Sequence, residues 1–482
     1  MSELTTILPE LALLTAACVV LLVDVYRGAA SPDVTFFATI LGLLVALGCT
    51  VAVFPGMPQT AFAGSVIHDP MSVVLRALIL AFGVFMFAYG RDYFARTSTL
   101  KGEYFVLGML ALLGAMLITV GGNLLLLYLG LELLSLSMYA LVALERDSSS
   151  ASEAAIKYFV LGALASGLLL YGMSMIYGAT GSLDLGVIAQ AIAAGEGAEG
   201  ALANPQVLSF GMVFIVIGLA FKLGVVPFHM WVPDVYEGAP TPVTLFIGSI
   251  PKLAAFALAF RLLGQGLGPM ADQWQSILYA LAVLSMVLGN LVAIAQTNIK
   301  RMLAYSTISH MGFLLIGFLA ATGAGYASAM FYAVVYALTS LAAFAFVILI
   351  SHRGRDGDLI SDFAGLGRRA PWFGFLAIIV FFSLAGVPPF PGFWAKWFVL
   401  KETIDAGFVN LAIIAVLTSV VGAFYYLNLL KVMFFDEPAA ETPVVGAGAD
   451  FRLVLSVNSV LLLVLGLLPG LLMQVCVNVL AP

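Results

Sequence analysis

Long apolar runs, separated by short polar stretches, are the feature that most limits how this chain can fold. The hydrocarbon core of a bilayer is about 30 Å thick, and a helix needs about 20 apolar residues to cross it. Of the 482 residues, 62% are hydrophobic and 10% are charged, and the mean hydropathy is +1.09. This composition excludes a soluble globular protein and predicts an all-α polytopic membrane protein.

The apolar runs between polar breaks predict 14 transmembrane helices in a single membrane domain, residues 1–482. The predicted helices cover 7–26, 35–53, 71–89, 104–120, 123–144, 154–178, 207–223, 241–263, 274–295, 302–322, 326–350, 371–386 with a continuation past a break to 401, 408–431 and 453–473. A Gly/Ala-rich loop at 181–206 contains a short amphipathic stretch that predicts a surface helix.

Basic residues predict how these helices are oriented, because Lys and Arg are enriched in cytoplasmic loops. With the N-terminus outside, the odd-numbered loops carry most of them, whereas 55–70, 181–206 and 321–325 carry none. The basic residues of the odd-numbered loops are Arg27, Arg91, Arg96, Lys101, Arg146, Lys300, Arg301, Arg353, Arg355, Arg368, Arg369, Lys431 and Arg452. The alternation predicts that both termini lie on the periplasmic side.

Two apolar runs are interrupted by nearly the same short sequence. Residues 224–228 read GVVPF and residues 386–390 read GVPPF, and a tryptophan follows each break. The breaks fall in the predicted helices 7 and 12, five helices apart. Units with an odd number of helices insert in opposite orientations, so the pattern predicts two inverted five-helix repeats. The repeats are predicted at 104–263 (helices 4–8) and 274–431 (helices 9–13), with helices 1–3 at 1–103 and helix 14 at 453–473.

Ionisable residues inside the apolar runs are candidates for an ion path. Glu132 lies nine residues into the predicted fifth helix, roughly 14 Å along it. Lys222 precedes the first break, Lys252 lies deep in the eighth helix, and Lys396 follows the second break. Other roles remain open at this stage: a structural hydrogen bond for Glu132, and an amine that reaches the membrane surface for Lys222 or Lys396.

Three further residues are less certain members of such a path. His310 in the predicted tenth helix, near Ser306 and Ser309, is a candidate relay because histidine changes charge near neutral pH. A histidine with a purely structural role in the core is the alternative. Lys157 lies near the start of the sixth helix, where reaching the membrane surface competes with a functional role. We expect Arg76 to extend to the outer surface.

Together these groups predict proton transfer along the membrane plane. Burial in apolar surroundings favours the neutral form of amines and carboxyls alike. Two charges about 10 Å apart, at an effective dielectric constant of about 20, interact by roughly 1.7 kcal/mol, so the charging of one site biases the next. Protons are favoured over sodium because the row offers mostly amines and a single carboxylate.

The sequence predicts no metal or cofactor site on this chain. Cys18, Cys49 and Cys476 are far apart and show none of the spacings of metal ligands. No glycine-rich nucleotide motif and no basic patch occur, which argues against a nucleotide site and against a nucleic-acid partner.

The run WVPDVYEGAPTPVT at Trp231–Thr244, together with Lys222 and Glu132, closely resembles the antiporter-like membrane subunits of respiratory complex I. Among them it is most similar to the subunit N family, called NADH dehydrogenase subunit 2 in mitochondria. The likeness covers essentially the whole chain. The related subunit L family has a long C-terminal lateral helix, and subunit M usually has a glutamate on its broken twelfth helix, where this sequence has Lys396.

The resemblance implies a proton-translocating membrane subunit of NADH:quinone oxidoreductase in a bacterial inner membrane, driven by quinone reduction elsewhere in the complex. It implies FMN, iron–sulfur clusters and quinone on other subunits, and neighbouring antiporter-like and small membrane subunits as partners. The likeness assigns the following roles by position: Glu132 and Lys222 as a gate pair, Lys252 as the central relay, Lys396 as the exit-side site, and His310 and Lys157 as matching polar positions. Two alternatives remain, namely a subunit of a multi-subunit Na⁺/H⁺ antiporter or membrane-bound hydrogenase, and a structural spacer that moves no ions.

Overall fold

The computed structural model describes residues 3–27, 32–97, 102–195, 204–351, 357–438 and 447–480. The first part of the chain contains α1 (Glu3–Thr6), α2 (Leu8–Arg27), α3 (Pro32–Ala52), β1 (Gln59–Ala61), β2 (Val66–His68), α4 (Pro70–Thr97), α5 (Glu103–Val120), α6 (Leu124–Val142), α7 (Ser149–Thr180) and α8 (Leu185–Ala194). The middle contains α9 (Pro205–Leu223), α10 (Trp231–Gly238), α11 (Thr241–Gly248), α12 (Ile250–Ala259), α13 (Ala271–Ile294), α14 (Ile299–Leu319) and α15 (Gly323–Ile350). The last part contains α16 (Leu366–Arg369), α17 (Pro371–Ala385), α18 (Pro391–Asp405), α19 (Val409–Phe435), α20 (Ala449–Leu467) and α21 (Pro469–Leu480).

Within these ranges, 13 helical segments are long and apolar enough to cross a membrane. One of them, Thr241–Gly266, joins α11, α12 and a π-helical turn at Phe260–Gly266. The prediction of an all-helical polytopic membrane protein is therefore confirmed, and α8 forms at the predicted surface helix. Lys101, Arg353 and Arg355, which entered the prediction of orientation, lie outside the described residues.

Three predicted helices are divided in the structure. The predicted eighth helix, 241–263, is divided at Ser249 between α11 and α12. The predicted twelfth helix consists of α17 and α18, each of 15 residues, with the predicted break between them. The predicted helix at 453–473 crosses the boundary between α20 and α21. Pro469 opens α21 there, in keeping with the preference of proline for the first turn of a helix.

The centre of the bundle is formed by α14 and α15. The apolar windows of α14 and α15 are 94% and 100% buried by the rest of the protein, whereas that of α2 is only 28% buried. α15 packs against α11 and α12 and also against α17 and α18. This central helix therefore contacts helices next to both interrupted regions of the chain.

Glycines let two helix pairs approach closely, as small residues commonly do in membrane proteins. A methyl group on Gly114 of α5 would lie 2.4 Å from the backbone nitrogen of Leu134 on α6. A methyl group on Gly289 of α13 would lie 2.7 Å from the backbone nitrogen of Ser309 on α14. Since neither position has room for a methyl group, glycine fixes the seating of the two helices that carry Glu132 and His310.

A cluster of buried charged side chains lies in the first half of the chain. Arg76 is 0% exposed. Its guanidinium donates to Glu10 at 3.1 Å and bonds His68 Nδ1 at 2.8 Å. Arg261, also 0% exposed, pairs with Asp69 at 2.8 Å. The expectation that Arg76 reaches the outer surface is wrong, because Glu10 from the first long helix supplies a charge partner inside the protein.

Candidate functional site

The first break lies between α9 and α10 and leaves a helix end inside the protein. Gly224 has a φ of +79° and ends α9 at Leu223, a backbone conformation that glycine adopts at little cost. The last carbonyls of a helix lack partners within it and carry partial negative charge. The Leu223 carbonyl oxygen accepts a hydrogen bond from Lys252 Nζ at 3.2 Å. Lys252 is 1% exposed, so its amine is buried against the end of α9.

Lys222, in the last turn of α9, contacts the helix that carries Glu132. Its amine donates to Ser135 Oγ at 2.8 Å. Glu132 lies one turn before Ser135 on α6, and its Oε1 is buried without a hydrogen-bond partner among the described residues. The described residues contain no direct Glu132–Lys222 ion pair, although the carboxylate acts on the amine through its charge. The structure thus brings the Lys222 amine onto the helix that carries Glu132, one turn away from it along α6.

A small cavity joins the two lysines of the first half. Lys222, Lys252, Ser135, Tyr158 and Trp231 are among the residues that line it. The space open to the centre of a water molecule is about 30 Å³, and about 10–15 Å³ suffices for one water. The cavity has room for water between the amines, which is what proton exchange between them requires.

The second break repeats the arrangement of the first with a different lysine. Gly386 has a φ of +83° and ends α17 at Ala385. The Ala385 carbonyl oxygen accepts from Lys396 Nζ at 3.0 Å, and the same amine donates to Ser419 Oγ at 2.8 Å. Lys396 is 8% exposed, and its amine lies 5.2 Å from the centre of the Phe313 ring. Lys396 therefore points into the protein and does not anchor at the membrane surface.

His310 lies among tyrosine hydroxyls at the centre of the bundle. Its Nδ1 is 2.6 Å from the Tyr332 hydroxyl, and its Nε2 is 3.2 Å from the Tyr426 hydroxyl. Tyr426 also bonds Ser306, one of the serines noted beside His310 in the sequence. The tyrosines escaped the sequence analysis because they lie on α15 and α19, and tyrosine in an apolar helix is too common to be a signal.

Lys157 lies apart from this interior row. Its amine bonds Asp234 and Glu153, each at 2.8 Å, and its side chain is 42% exposed. Asp234 also accepts from Arg301 at 3.0 Å, so the segment after the first break is tied to both α7 and α14. Burial raises the pKa of Asp234, but the hydrogen bonds from Lys157 and Arg301 outweigh this and hold its pKa below the usual value. Lys157 fixes the position of the broken segment, and no contact joins it to Lys222 or Lys252 in the described part of the chain.

No metal centre emerges from the described residues, since no group of three or more His, Cys, Asp or Glu side chains is placed to hold an ion. What the structure does bring together is buried lysines at the carbonyl ends of interrupted membrane helices. Interrupted helices of this kind coordinate ions and substrates in membrane transporters.

Comparison with known proteins also places the chain among membrane transporters with interrupted helices. Residues 121–422 match the family described as "NADH:quinone oxidoreductase/Mrp antiporter, TM". The chain is thus an antiporter-like membrane protein of the kind found in that family.

Individual relatives identify the particular subunit family to which the chain belongs. NADH-quinone oxidoreductase subunit N of Alkalilimnicola ehrlichii is 50% identical over 476 residues, which cover 99% of this chain and 96% of the relative. The subunit N of Thiobacillus denitrificans is 51% identical over 471 residues, 98% of this chain and 96% of that protein. The chain belongs to the NADH-quinone oxidoreductase subunit N family, as the signature run at Trp231–Thr244 predicted.

Solved structures share the fold. A chain of respiratory complex I from Thermus thermophilus is 35% identical, with a TM-score of 0.82 and coverage of 97% of this chain and 98% of that chain. A chain of the archaeal membrane-bound sulfane sulfur reductase is 26% identical with a TM-score of 0.85, covering 100% of this chain and 97% of that chain. A chain of the Mrp complex from Dietzia, 21% identical, has the same fold with a TM-score of 0.85 and the same coverage.

Proposed function

We propose that this chain translocates protons as an antiporter-like membrane subunit of NADH:quinone oxidoreductase, complex I, in a bacterial inner membrane. The observation that carries the proposal is the burial of Lys252 and Lys396, each at the carbonyl end of an interrupted helix. Quinone reduction elsewhere in the complex drives the movement. The neighbouring membrane-arm subunits are the partners, and FMN, iron–sulfur clusters and quinone belong to other chains of the assembly.

Each residue of the row has its own role in the proposed proton path. Glu132 and Lys222 form the gate pair, with the Lys222 amine held by the Ser135 hydroxyl one turn from Glu132 on α6. Lys252 is the central relay and exchanges protons with Lys222 through the cavity between them. His310 continues the row on the far side, and Lys396 is the exit-side site. Lys157 acts by position, because its pairing with Asp234 orients the segment that follows the first break.

Helix ends explain how each lysine holds and then gives up a proton. An isolated ammonium in an apolar interior is costly, whereas a helix C-terminus offers partial negative charge that offsets part of this cost. The amines of Lys252 and Lys396 bond a helix-end carbonyl, and Lys396 also bonds a serine hydroxyl, so neither is locked in its charged form as it would be beside a full carboxylate. A positive charge that arrives about 10 Å away shifts the free-energy difference between the protonated and the neutral amine by roughly 1.7 kcal/mol. This shift is enough to release the proton to the next site.

The same proposal includes the architecture expected from the sequence. We infer 14 crossings, with α17 and α18 together forming the twelfth, and both termini on the periplasmic side. The inverted repeats span 104–263 and 274–431, with three helices at 1–103 before them and the fourteenth helix at 453–473 after them. Support comes from the two breaks, which share a left-handed glycine and a lysine amine on the carbonyl that precedes it.

Replacing Lys252 in the whole complex tests the proposed function. We expect Lys252→Ala to lower the rate of proton pumping about tenfold or more, as loss of an acid–base group commonly does. Pumping is measured in membrane vesicles by a pH-sensitive dye during NADH oxidation, and assembly is checked on native gels.

Lys431→Ala is the matched control, since the Lys431 side chain is 65% exposed. An assembled Lys252→Ala complex that pumps at the rate of the control overturns the proposal. Glu132→Gln, tested in the same way, separates transport from a spacer role, because a spacer tolerates the loss of that charge.

A further inference from the structure

Arg261 lies in the π-helical turn that follows α12, the helix that carries Lys252. Its side chain is fully buried, and the row of titratable groups proposed above does not include it. π-helical turns are rare and are frequently found at functional sites. The contacts of Arg261 therefore show how the end of this helix is held.

Every N–H group of the Arg261 guanidinium has an acceptor. Asp69 accepts from Nη1 at 2.8 Å and from Nη2 at 2.9 Å, so both terminal nitrogens bind the carboxylate. The Thr119 carbonyl oxygen accepts from Nε at 3.2 Å and from Nη2 at 2.8 Å. Gln265, in the same π-helical turn, accepts from Nη1 at 2.9 Å. These bonds use the full donor capacity of arginine, so the guanidinium is fixed in both position and orientation.

These contacts join the end of α12 to the ends of two other helices. Thr119 lies in the last turn of α5, where carbonyl groups lack partners within the helix. Asp69 directly precedes α4 and also accepts from the backbone N–H of Ser72 at 2.8 Å, in the first turn of α4. Arg261 therefore holds α12 against the end of α5 and the start of α4 at the same time.

α5 and α12 also line the cavity that joins the two lysines of the first half. Ile118, the neighbour of Thr119 in the chain, lines the cavity from α5, and Leu258, about one turn before Arg261, lines it from α12. The two helices pack directly against each other. The guanidinium of Arg261 thus holds one end of the helix contact that forms part of the cavity wall.

The hydrogen bond of Lys252 is sensitive to the position of α12. Lys252 precedes Arg261 by about 14 Å along the helix, at 1.5 Å per residue. Its amine lies 3.2 Å from the Leu223 carbonyl oxygen, which is at the upper end of the usual range for an N–H···O hydrogen bond, about 2.7–3.2 Å. A displacement of α12 by about 0.5 Å away from α9 is therefore enough to break this bond.

We propose that Arg261 is a positioning residue for the relay. By binding Asp69 and the Thr119 carbonyl together, it fixes α12 along its axis and keeps the Lys252 amine on the end of α9. The inference rests on the proposed function, in which Lys252 is the central relay. Lysine at this position keeps the positive charge but has three donors and no planar fork. It cannot bind the carboxylate and the carbonyl with two bonds each, so it leaves α12 free to shift.

Arg261→Lys in the whole complex tests the inference, and Arg76→Lys is the matched control. Arg76 is also fully buried, pairs with Glu10 at 3.1 Å and bonds the Thr6 carbonyl at 3.2 Å, but neither partner lines the cavity. Both substitutions are expected to lower the melting temperature, because each loses hydrogen bonds of a buried guanidinium. Only Arg261→Lys is expected to slow proton pumping, about tenfold, in assays run below both melting temperatures.

Two further measurements separate positioning from a loss of stability. Electron microscopy of the assembled Arg261→Lys complex is expected to show the Lys252 amine more than about 3.5 Å from the Leu223 carbonyl oxygen. The pH dependence of pumping is expected to shift as well. An ammonium group that has lost the partial negative charge of a helix end gives up its proton more readily, so pumping declines at a pH lower by roughly half a unit or more. Arg76→Lys is expected to leave both unchanged.

Arg261→Lys may differ from wild type in stability alone, and that result overturns the inference. It is recognised by pumping and a pH dependence equal to those of Arg76→Lys, with the Lys252 amine still on the Leu223 carbonyl. If Lys252→Ala stops pumping in the same assay, the proposed function stands without the positioning role. Pumping by Lys252→Ala at the wild-type rate overturns the proposed function and the inference with it.

Asp69→Asn replaces Arg261→Lys if that variant fails to assemble. The amide offers one acceptor oxygen in place of two, so it loses one of the two bonds from the guanidinium. The same slower pumping, displaced Lys252 amine and shifted pH dependence are expected, and wild-type values for all three overturn the inference.

Discussion

The two interrupted regions of the molecule bind a lysine amine in the same way, but different contacts hold the segment that follows each break in place. At the first break the lysine comes from another helix, since Lys252 on α12 reaches the end of α9. At the second break Lys396 comes from α18, the continuation of the interrupted helix itself. The segment after the first break is tied by Asp234 to two basic side chains. The segment after the second is held by apolar packing and by an indole bond from Trp394 to Gly466.

This difference shows that the carbonyl end of the helix, rather than the origin of the lysine, defines the site. A lysine can reach that end from either direction because its side chain is long and flexible. The contacts that hold the segment after each break decide how freely that segment can move. Ion pairs tie the segment after the first break to two long helices, whereas α18 after the second break packs against α15, α14 and α20.

The largest effect is expected from removing the amine of the second break. Lys396→Met keeps the length of the side chain but leaves the Ala385 carbonyl without its donor, so we expect proton pumping to fall about tenfold or more. Lys401→Met on the same helix is the control, because the Lys401 side chain is 55% exposed and pairs with Glu402 and Asp405. Equal pumping by the two variants in dye-quench assays contradicts the equivalence of Lys396 and Lys252.

The glycines that end the two helices provide the second comparison. Alanine in the left-handed conformation costs about 1–2 kcal/mol. At Gly386 the added methyl group would also lie 2.9 Å from Lys396 Cδ, whereas at Gly224 it would lie 2.6 Å from Val232 Cγ2. We therefore expect Gly386→Ala to lower pumping by displacing the amine, and Gly224→Ala to lower the melting temperature of the complex by displacing α10. Identical profiles for the two variants, in pumping and in melting, argue against this distinction.

Much of this architecture follows from the sequence, and the reason is physical. Apolar runs long enough to cross a bilayer leave few alternatives to helices, and Gly-Val-x-Pro-Phe marks both breaks. The burial of Lys252 followed from its depth in such a run, whereas the sequence left open whether Lys396 reaches the membrane surface. What the sequence does not encode locally is the partner of each charge. Glu10 meets Arg76 across 66 residues, and no short-range pattern reports such a contact.

The hydroxyl partners were missed for a related reason. Ser135, Ser419 and Tyr332 are unremarkable in apolar helices, where serine usually bonds the backbone one turn earlier. Ser135 could have been suspected only because it follows Glu132 by three residues, which places both on one helix face. Lys157 was assigned to the row by likeness to the family, and its exposed pairing with Asp234 was not predictable from its position in the helix.

The fastening of the first break can be tested by Asp234→Asn, for which we expect an intermediate effect. The change removes the charge that pairs with Lys157 and Arg301, so the melting temperature of the complex should fall by a few degrees with a smaller loss of pumping. Asp405→Asn is the control, since the Asp405 side chain is 57% exposed and pairs with Lys401 on the same helix. A melting temperature as high as that of the control shows that the ion pairs do not fasten the segment.

The pH dependence of this contribution has a definite sign. The pKa of Asp234 is held below its usual value, so the carboxylate stabilises the folded chain fully above the ordinary aspartate pKa of about 3.9. The stabilisation disappears as the pH falls through the lowered value. In wild type this group adds no pH dependence to the melting temperature at neutral pH. A wild-type minus Asp234→Asn difference that changes between about pH 6 and pH 8 contradicts this assignment.

The smallest effects are expected from the two tryptophans that follow the breaks. Trp231 donates to the Phe221 carbonyl at 3.0 Å, and Trp394 donates to the Gly466 carbonyl at 2.9 Å. Replacement by phenylalanine removes one hydrogen bond in each case, worth about 0.5–1.5 kcal/mol. Trp231→Phe should cost more, because Trp231 is 2% exposed and also stacks on Tyr158. A larger drop in melting temperature for Trp394→Phe reverses the order we expect.

The buried guanidinium groups of Arg76 and Arg261 have a consequence for a protein in a membrane whose proton gradient changes. A respiring membrane keeps different proton concentrations on its two faces, and these change with demand. Arginine keeps its proton under all such conditions. The Arg261 hydrogen bonds hold the pKa of Asp69 below its usual value, despite the burial that raises it. The ion pairs of Arg76 and Arg261 therefore keep the positive charge of their guanidinium groups in a resting and in a working cell.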